Sequence, residues 1–384
     1  MILYINMSYE FVNSQKDFNA LCSSIAAHPY ISIDTESNSL YSYHERMCLL
    51  QISAGNINAV VDMLAVNLKP ILPIFADPKV EKIFHSADSD IRVIKSTAKC
   101  VFVNIFDVMI AAKYLGLAKC GLDSIVNHYF GIELDKKYQK ADWGKRPLTK
   151  EMLEYAAGDS VYLKRLRDIM SQELEQQGKL QEALEHFARI AKVEPVPHPQ
   201  FDKNGFYSIK GASRLNGQGL AVLRELYIAR EEAAKRFDTP PFKVVSADYM
   251  FRIAAAPEEA LADLRLFRGS SQYVLKKHGG WIRDAIRKGL ECRKQPAPKK
   301  QEDRNYRKMD AVRLRFLAMR KWRKKIAENR NMLPETVLDN ATMEKLAFAQ
   351  PRTMEDLKKI KGVPEEKINA YGKELLEFFR THRI

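Results

Sequence analysis

The chain has few of the residues that would build a disulfide framework or a zinc centre. Its 384 residues include only five cysteines, and no two of them are spaced as C-x-x-C. They stand at Cys22, Cys48, Cys100, Cys120 and Cys292. An odd, dispersed set is typical of reduced cysteines in a cytosolic protein. The sequence therefore argues against a disulfide-stapled secreted domain, and we expect a cytoplasmic protein.

Long apolar segments are also lacking. No hydrophobic run approaches the roughly 20 residues needed to span a bilayer. The first residues lack the charged-then-apolar pattern of a secretory signal. Hydrophobic residues nevertheless make up 46% of the chain, as in an ordinary folded protein. We therefore expect a folded protein of two or three domains that needs no membrane.

Acidic residues are scarce relative to basic ones in the second half of the chain only. Residues 1–192 hold 22 Lys and Arg against 23 Asp and Glu, whereas the remainder holds 40 against 25. Residues 293–330 alone hold 15 basic and 4 acidic side chains. Such an excess is either a solvated charged face or a surface for a polyanion. Nucleic acid is the natural polyanionic partner.

Two proline-bearing stretches, 194–199 and 294–300, resist helix formation and predict linkers. They predict three domains, at 1–193, 206–293 and 304–384. The first is predicted to be α/β, with closely spaced early strands that favour hairpins and later strands that alternate with helices. Its strand candidates are Tyr30–Asp34, Met47–Ser53, Ala59–Met63, Val80–His85 and Val101–Phe106.

The other two domains are predicted to be all-α and to be copies of one unit. Five residues of the first recur at a constant offset of 93 positions in the second (334 − 241 for the prolines). The pairs are Arg230 and Arg323, Ala234 and Ala327, Pro241 and Pro334, Val244 and Val337, and Leu264 and Leu357. A constant offset over five positions indicates internal duplication.

Three acidic residues and a tyrosine in two distant segments are candidate catalytic residues. Asp34 and Glu36 lie at the end of a predicted strand, where residues i and i+2 share a face. Tyr155 and Asp159 lie on a helix predicted over 150–170, where residues i and i+4 share a face. Taken alone, each pair has a plain structural alternative, namely a polar strand end and a buried, hydrogen-bonded tyrosine.

A third segment supplies two further acids. Asp88 and Asp90 follow a predicted strand and flank the start of a helix predicted to begin near Ser89. Either could ligate a metal, and one of them is expected to cap that helix by accepting from its free N–H groups. Spacing alone leaves the choice between them open. Asp107, after the next strand, has the same two possible roles, of which the N-cap is favoured.

Carboxylates that converge on one spot repel each other unless cations neutralise them. Hard oxygen ligands suit Mg²⁺ or Mn²⁺ better than zinc. If the three segments fold together, they form the layout of a two-metal phosphodiester hydrolase.

The three acidic segments resemble the motifs of the DEDD superfamily of 3′-to-5′ exonucleases, in its tyrosine-bearing branch. Asp34-Thr35-Glu36 matches the first motif, Phe84 to Ile91 the second and Tyr155 to Asp159 the third. In the second motif the alignment makes Asp90, rather than Asp88, the family acid.

The resemblance extends over nearly the whole chain. Residues 139–149 (Gln-Lys-Ala-Asp-Trp-Gly-Lys-Arg-Pro-Leu-Thr) are similar to the signature that precedes the third motif. Family members often have Arg-Arg where Lys145-Arg146 stands. The two helical domains resemble HRDC domains, the second being more diverged and keeping Ile360 to Val363 in its C-terminal half.

This resemblance implies a ribonuclease H-like α/β exonuclease domain, with a mixed sheet flanked by helices, followed by two all-α HRDC domains. It implies two divalent ions, Mg²⁺ or Mn²⁺, held by Asp34, Glu36, Asp90 and Asp159, with Tyr155 orienting the attacking water. The implied reaction is stepwise hydrolysis from the 3′ end of RNA such as precursor tRNA, with release of nucleoside 5′-monophosphates. A DNA-directed 3′ exonuclease and a non-catalytic RNA-binding scaffold are the alternatives.

Seven further residues are predicted to contact the RNA: Gln51, His85, Trp143, Lys145, Arg146, Arg323 and Lys324. The glutamine and the histidine stand at family-like positions for the terminal nucleotide, and their alternatives are a sheet-edge amide and a core histidine. The tryptophan either stacks on a base or packs in the core. The lysines and arginines are assigned to phosphates. No obligate protein partner is expected.

Overall fold

The computed structural model describes residues 8–195, 201–292, 294–295 and 304–382, without the side chains of 304–308. Both predicted proline-bearing linkers lie largely outside these ranges. The chain divides into two compact units. One holds the described parts of 1–37, 47–195 and 302–384, and the other holds those of 38–46 and 196–301.

The first unit is built on a six-stranded mixed sheet in the order β1-β4-β3-β2-β5-β6. Its strands are β1 (Glu10–Val12), β2 (Tyr30–Ser37), β3 (Met47–Ala54), β4 (Ile57–Asp62), β5 (Glu81–Phe84) and β6 (Ile105–Asp107). Strands β2, β3 and β4 pair antiparallel, whereas β5 pairs parallel with both β2 and β6. The predicted hairpins and parallel crossovers are therefore confirmed. The short strand β1, parallel to β4, was not predicted.

Helices flank this sheet. Residues 8–195 form α1 (Gln15–Ile25), α2 (Leu72–Ala76), α3 (Ala87–Thr97), α4 (Val108–Tyr114), α5 (Leu122–Phe130), α6 (Lys150–Val161), α7 (Leu163–Gln176) and α8 (Leu180–Ile190). The single helix predicted over 150–170 is wrong, because the chain turns at Tyr162 and separates α6 from α7. No helix among the described residues is long and apolar enough to cross a bilayer.

Small residues bring α6 close to the sheet. Ala156 and Ala157 are fully buried in a cluster with Leu49 of β3. Ser160 at the end of α6 shares a hydrogen bond with Ser53 of β3, with 2.7 Å between their hydroxyl oxygens. The face of α6 that carries Tyr155 and Asp159 is thereby fixed against the strands.

The second unit is helical and includes a short segment from the N-terminal half. Its helices are α9 (Gly217–Arg236), α10 (Pro241–Val244), α11 (Ala247–Ala255), α12 (Pro257–Ala262) and α13 (Gln272–Glu291). Residues 38–46, which connect β2 to β3, belong to this unit. Ser42 Oγ and the Tyr43 backbone N–H donate to the Asp238 carboxylate at 2.7 and 3.0 Å. Lys243 Nζ lies 3.4 Å from the ring centroid of Tyr41.

The C-terminal helices repeat those of the second unit. They are α14 (Arg304–Asn329), α15 (Pro334–Val337), α16 (Asn340–Ala349), α17 (Met354–Lys359) and α18 (Glu365–Thr381). Arg230 Nη1 donates to the carbonyl of Val245, and Arg323 Nη1 donates to the carbonyl of Leu338, at the corresponding position. The predicted duplication is confirmed by these matched contacts.

A buried polar network joins this C-terminal repeat to α4 and α8 within the first unit. Lys367 Nζ donates to Tyr114 Oη at 2.8 Å and to Glu182 at 3.1 Å. Glu182 also pairs with Arg330 at 2.8 Å and accepts from Tyr371 Oη at 2.9 Å. Burial lowers the pKa of Lys367, and the Glu182 carboxylate opposes that shift. The interface therefore depends on mutual neutralisation of buried charges.

Candidate active site

Three carboxylates from two distant segments meet at one place on the sheet. Asp34, Glu36 and Asp159 each offer an oxygen atom, and these atoms lie within 4.8 Å of one another. Asp34 and Glu36 share a face of β2 because alternate residues of a strand project to the same side. Asp159 reaches them from α6, which packs on that face. The structure thus brings together three of the predicted site residues, and their role as a shared metal site stays a prediction.

Burial and mutual repulsion act strongly on these acids. Burial raises the pKa of Glu36 to about 10, with Asp34, Asp159 and Asp90 adding to the effect. Burial also raises the pKa of Asp159 to about 7. The pKa of Asp34 lies well above its usual range for the same reason, reinforced by Asp159. Three oxygen donors that need positive charge to ionise are a donor set suited to Mg²⁺ or Mn²⁺.

Asp90 lies beside this cluster, held by a residue of β2. It is buried, and Thr35 Oγ1 donates to its carboxylate at 2.6 Å. Burial, then the charge of Asp34, raises the pKa of Asp90 well above its usual range. Asp88 is instead bound by Arg92, with 2.7 Å between Nε and the carboxylate. The geometry therefore favours Asp90 as the acid of the site, and Thr35 is a positioning residue that sequence reasoning missed.

The prediction that Asp88 or Asp90 caps α3 is wrong. The helix begins at Ala87, and the preceding Ser86 is left-handed (φ 68°) without a side-chain cap. Asp107 caps this end instead: its carboxylate accepts hydrogen bonds from the backbone N–H groups of Ser86 at 3.2 Å and Ala87 at 2.8 Å. Asp107 also accepts from Ile110 N at 3.0 Å, so its predicted N-cap role on α4 is confirmed. One carboxylate thus fixes the starts of two helices.

Tyr155 stands one turn before Asp159 on α6, among the carboxylates. Burial raises the pKa of Tyr155, and Asp159, Glu36 and Asp34 raise it further. Its hydroxyl therefore stays protonated near neutral pH and is suited to orient a water rather than to remove its proton. The ring of Trp143 lies 6.1 Å from that of Tyr155. Because Trp143 is 1% exposed, it has no free face, and the prediction that it stacks on a base is corrected to core packing.

Gln51 has an unusual environment. It pairs with Asp34 across β2 and β3, and directly opposed residues of an antiparallel pair share a face. Its side chain is 0% exposed, yet neither amide atom has a partner among the described residues. An unpaired buried amide costs about 1–3 kcal/mol, so its place on the Asp34 face fits a site completed by a ligand.

His85 and Lys145 each have a polar group that no hydrogen bond or ion pair among the described residues occupies, namely Nδ1 of the histidine and the ammonium of the lysine. His85 Nε2 donates to the Cys120 carbonyl at 2.9 Å, which leaves Nδ1 free of that bond. Lys145 is exposed, and no ion pair is formed by its ammonium within the described residues. Their contacts with RNA stay predictions.

The guanidinium of Arg146, which was predicted to contact RNA phosphates, binds groups within the protein. Its Nε and Nη2 donate to Asp62 at 2.7 and 2.6 Å, in a bidentate pair. Its Nη1 donates to the carbonyls of Trp143 and Lys145, both at 2.7 Å. The predicted phosphate contact is corrected: Arg146 braces the segment before α6 against the end of β4. Asp62, 84 residues away, gave no sequence signal of this pairing.

The two predicted RNA contacts on α14 differ in exposure. Arg323 is half-buried and donates to the Leu338 carbonyl at 2.6 Å and to Asn340 at 3.0 Å, so we correct its role to a structural one. Lys324 is exposed and forms a surface ion pair with Glu328 at 3.6 Å. Such a pair is worth little, so Lys324 remains available for a phosphate.

Comparison with known proteins assigns families to the α/β part and to the helical parts of the chain. Residues 9–175 match a 3′-5′ exonuclease family, and residues 219–286 and 313–378 both match the HRDC domain. A curated ribonuclease D from Sphingobium indicum is 30% identical over 270 residues, covering 68% of this chain and 68% of that one. The aligned regions span 65%, 68% and 78% of the first three curated ribonuclease D relatives.

Solved structures share the fold. Escherichia coli RNase D superposes with a TM-score of 0.68 at 23% identity, over 98% of this chain and all of that one. The catalytic core of RRP6 from Trypanosoma brucei gives a TM-score of 0.67 at 26% identity, over 75% of this chain and 81% of that one.

A mixed-sheet 3′-to-5′ exonuclease domain followed by helical HRDC domains is the architecture of an exoribonuclease, and the expected fold class is thereby confirmed. The chain is 30% identical to the Sphingobium indicum ribonuclease D over 68% of that protein's length, and it therefore belongs to the ribonuclease D family.

Proposed function

We propose that this protein trims the 3′ ends of precursor tRNA and other small RNAs, one nucleotide at a time, with release of nucleoside 5′-monophosphates. The observation that carries the proposal is the cluster of Asp34, Glu36 and Asp159 oxygens within 4.8 Å on an exonuclease fold. Asp90 and Tyr155 complete the catalytic set. His85, Lys145 and Lys324 are the proposed substrate contacts with exposed or half-buried side chains, and Gln51 is a proposed contact that is fully buried.

Two divalent ions, Mg²⁺ or Mn²⁺, are the proposed cofactors. Asp34, Glu36 and Asp159 would hold one ion, and Asp34 with Asp90 the other. When bound, divalent cations supply positive charge at the scissile phosphate and lower the pKa of the attacking water. The fit rests on a donor set made only of carboxylate oxygens.

The chain's own residues supply position and proton handling. Tyr155 keeps its hydroxyl proton and can hold the attacking water beside Asp159 and Glu36. Thr35 fixes the Asp90 carboxylate through its 2.6 Å hydrogen bond. The amide of Gln51, next to Asp34 on the sheet, is unpaired but 0% exposed, so it would bond the terminal nucleotide only if the strand face above it opened. Asp90 is buried, whereas Asp34, Glu36 and Asp159 are half-buried.

Asp34→Asn tests the catalytic assignment. We expect it to abolish removal of 3′ nucleotides from a tRNA with a 3′ extension, while RNA binding and folding persist. Asp88→Asn is the matched control, since Asp88 binds Arg92 outside the cluster, and it should retain activity. Undiminished cleavage by Asp34→Asn would remove the assignment. A DNA strand of the same sequence, run in parallel, decides between RNA and DNA as substrate through the 2′-hydroxyl.

Metal binding should depend on pH in a defined direction. The folded pKa of Asp159, about 7, and of Glu36, about 10, exceed unfolded values near 4. Protonation of the folded state is therefore favoured, and the metal-free protein loses stability as the pH rises from about 4 to about 7 for Asp159 and on to about 10 for Glu36. Mn²⁺ must displace these protons, so the rise in melting temperature it causes should be larger at pH 8 than at pH 5.5. An equal rise at both pH values, or the same rise in Asp34→Asn, would contradict the metal assignment.

We keep 1–193, 206–293 and 304–384 as the proposed domain bounds. We also propose that the protein works in the cytoplasm, since its cysteines, five in all, are free and suit a reducing compartment. The basic second half is proposed to hold RNA upstream of the 3′ end.

A further inference from the structure

The first HRDC domain carries two exposed aromatic rings with a lysine between them. Phe237, just after α9, is 39% exposed, and Tyr273, in the first turn of α13, is 61% exposed. Lys277 Nζ lies 4.7 Å from the ring centroid of Phe237 and 5.3 Å from that of Tyr273. It also donates to Tyr273 Oη at 2.9 Å. The two rings and the ammonium therefore form one continuous surface.

Two further rings support this surface from below. His278 is buried, and its ring centroid lies 5.8 Å from Phe237 and 6.2 Å from Tyr273, edge-on to both. Trp281 Nε1 donates to His278 Nδ1 at 3.1 Å. This bond makes Nδ1 an acceptor, and burial lowers the pKa of His278, so the imidazole stays neutral and fixed. The exposed rings thus rest on a rigid base.

Gly280 lies on the same side of α13. It follows Lys277 by three residues and Tyr273 by seven, spacings that place all three on one helix face. A Cβ built at Gly280 would meet nothing within 4 Å, so no internal packing explains a glycine in the middle of this helix. Glycine weakens a helix interior relative to alanine. It leaves the backbone beside Lys277 open to close approach by a ligand.

The same face of the repeat is a binding face in the second HRDC domain. The residues 93 positions after Phe237, Tyr273 and His278 are Arg330, Glu366 and Tyr371. Arg330 and Tyr371 bind Glu182, and Glu366 pairs with Arg189 at 2.8 Å. The second copy thus uses charged groups where the first presents exposed rings.

We propose that Phe237, Tyr273, Lys277 and Gly280, here called the ring platform, bind unpaired bases of the RNA substrate by stacking, with Lys277 on a phosphate. This inference rests on the proposed action on RNA. Aromatic rings accept any base because every base has a π-face, and an adjacent cation supplies the attraction for the backbone. Lysine is depleted from the cores of protein–protein interfaces, so the lysine between the rings favours RNA over a protein partner.

The test compares variants of the full-length protein in binding to a fluorescein-labelled 20-nucleotide oligoadenylate, with EDTA present to prevent cleavage. Tyr273→Ala should weaken binding about tenfold, because one stacking partner is lost. Tyr273→Phe keeps the ring and should bind as the unaltered protein does. Lys277→Ala should make the slope of log K against log salt less negative by about 0.7, the value for one phosphate contact on a single strand.

Two controls separate the platform from general surface effects. Leu266→Ala removes a side chain that is 70% exposed in the same domain, and Lys203→Ala removes an exposed charge that is not part of the ring platform. Neither should change the affinity by more than twofold. If Tyr273→Ala binds as tightly as Leu266→Ala, the platform proposal is overturned. The proposal is also overturned if Tyr273→Ala leaves RNA binding unchanged and alters only the self-association of the protein, measured by analytical ultracentrifugation. That result would reveal a surface for contact between copies of the protein.

A second measurement locates the RNA directly. Photo-crosslinking of a 5-bromouridine 20-mer, followed by peptide mapping, should label peptides that contain Phe237 or Tyr273. Labels confined to other peptides would contradict the proposal. Cleavage of a labelled trinucleotide with Mn²⁺ is measured for the same proteins. Loss of that cleavage in the unaltered protein would count against the catalytic proposal, whereas normal cleavage with unaltered 20-mer binding in Tyr273→Ala would count against the platform alone.

Discussion

In the first HRDC domain the start of α13 carries an exposed tyrosine and an exposed lysine, whereas the start of α18 in the second carries Glu366 and the buried Lys367. The interiors of the two copies agree much better. Leu264 and Leu357 are both fully buried, as are the equivalent alanines of α9 and α14. Core packing thus preserves the repeat, while its outer face is free to bind different partners.

The largest effect should come from breaking the network that attaches the second copy. Glu182→Ala removes the carboxylate that neutralises Lys367 and Arg330, and it leaves a buried ammonium without its ion pair. We expect the free energy of unfolding to fall by about 3–5 kcal/mol. Urea denaturation measures it. Glu185→Ala, three residues later on an exposed side of α8, should cost less than about 0.5 kcal/mol. Equal losses in both variants would show that the network does not hold the interface.

A middle-sized effect should distinguish how the two copies bind RNA. Arg320, Lys321 and Lys324 are exposed on α14, so their joint replacement by alanine should remove phosphate contacts. The slope of log K against log salt should become less negative by about 2, for three contacts on a single strand. The control replaces three exposed lysines of the exonuclease domain, Lys16, Lys69 and Lys79. An unchanged slope would mean that α14 serves another purpose, and the charge contrast between the copies would lose its meaning.

The smallest effect concerns the glycines of α13. Gly280→Ala should stabilise the protein by about 0.5–1 kcal/mol, because alanine favours the helix and the added Cβ meets open space. At Gly289 the same change should destabilise, since the Cβ would lie 2.5 Å from Val222 Cα. Thermal unfolding of the two variants checks the opposite signs. A loss of stability in Gly280→Ala would mean that the glycine serves folding rather than ligand approach.

The convergent part of the site could be predicted from sequence because it depends on local periodicity. The spacing of Asp34 and Glu36 on a strand, and of Tyr155 and Asp159 on a helix, fixes which side chains share a face. The hairpins followed from short connections between apolar runs. The choice of Asp90 over Asp88 came from the family resemblance, and the structure adds a reason, namely that Arg92 binds Asp88.

Long-range pairings could not be predicted, because nothing in local sequence specifies them. Asp62 takes up the guanidinium of Arg146 from 84 residues away, and Asp107 caps a helix that begins twenty residues earlier. Trp143 was open between stacking and burial until its surroundings were known. The break at Tyr162 interrupts a sequence with no proline or helix-breaking cluster, so the helical pattern continued through it.

Residues 38–46 leave the sheet two positions after Glu36 and belong with α9 and α10. A protein shortened to residues 1–193 would keep this segment but lose Asp238 and Lys243, which bind it. The chain therefore passes between the nuclease unit and the helical unit at 37/38 and 46/47 as well as at 195/196, so the first helical neighbour is not attached by one linker alone. Exchange of that neighbour between related enzymes, in the laboratory or in evolution, would have to carry the short segment along with it.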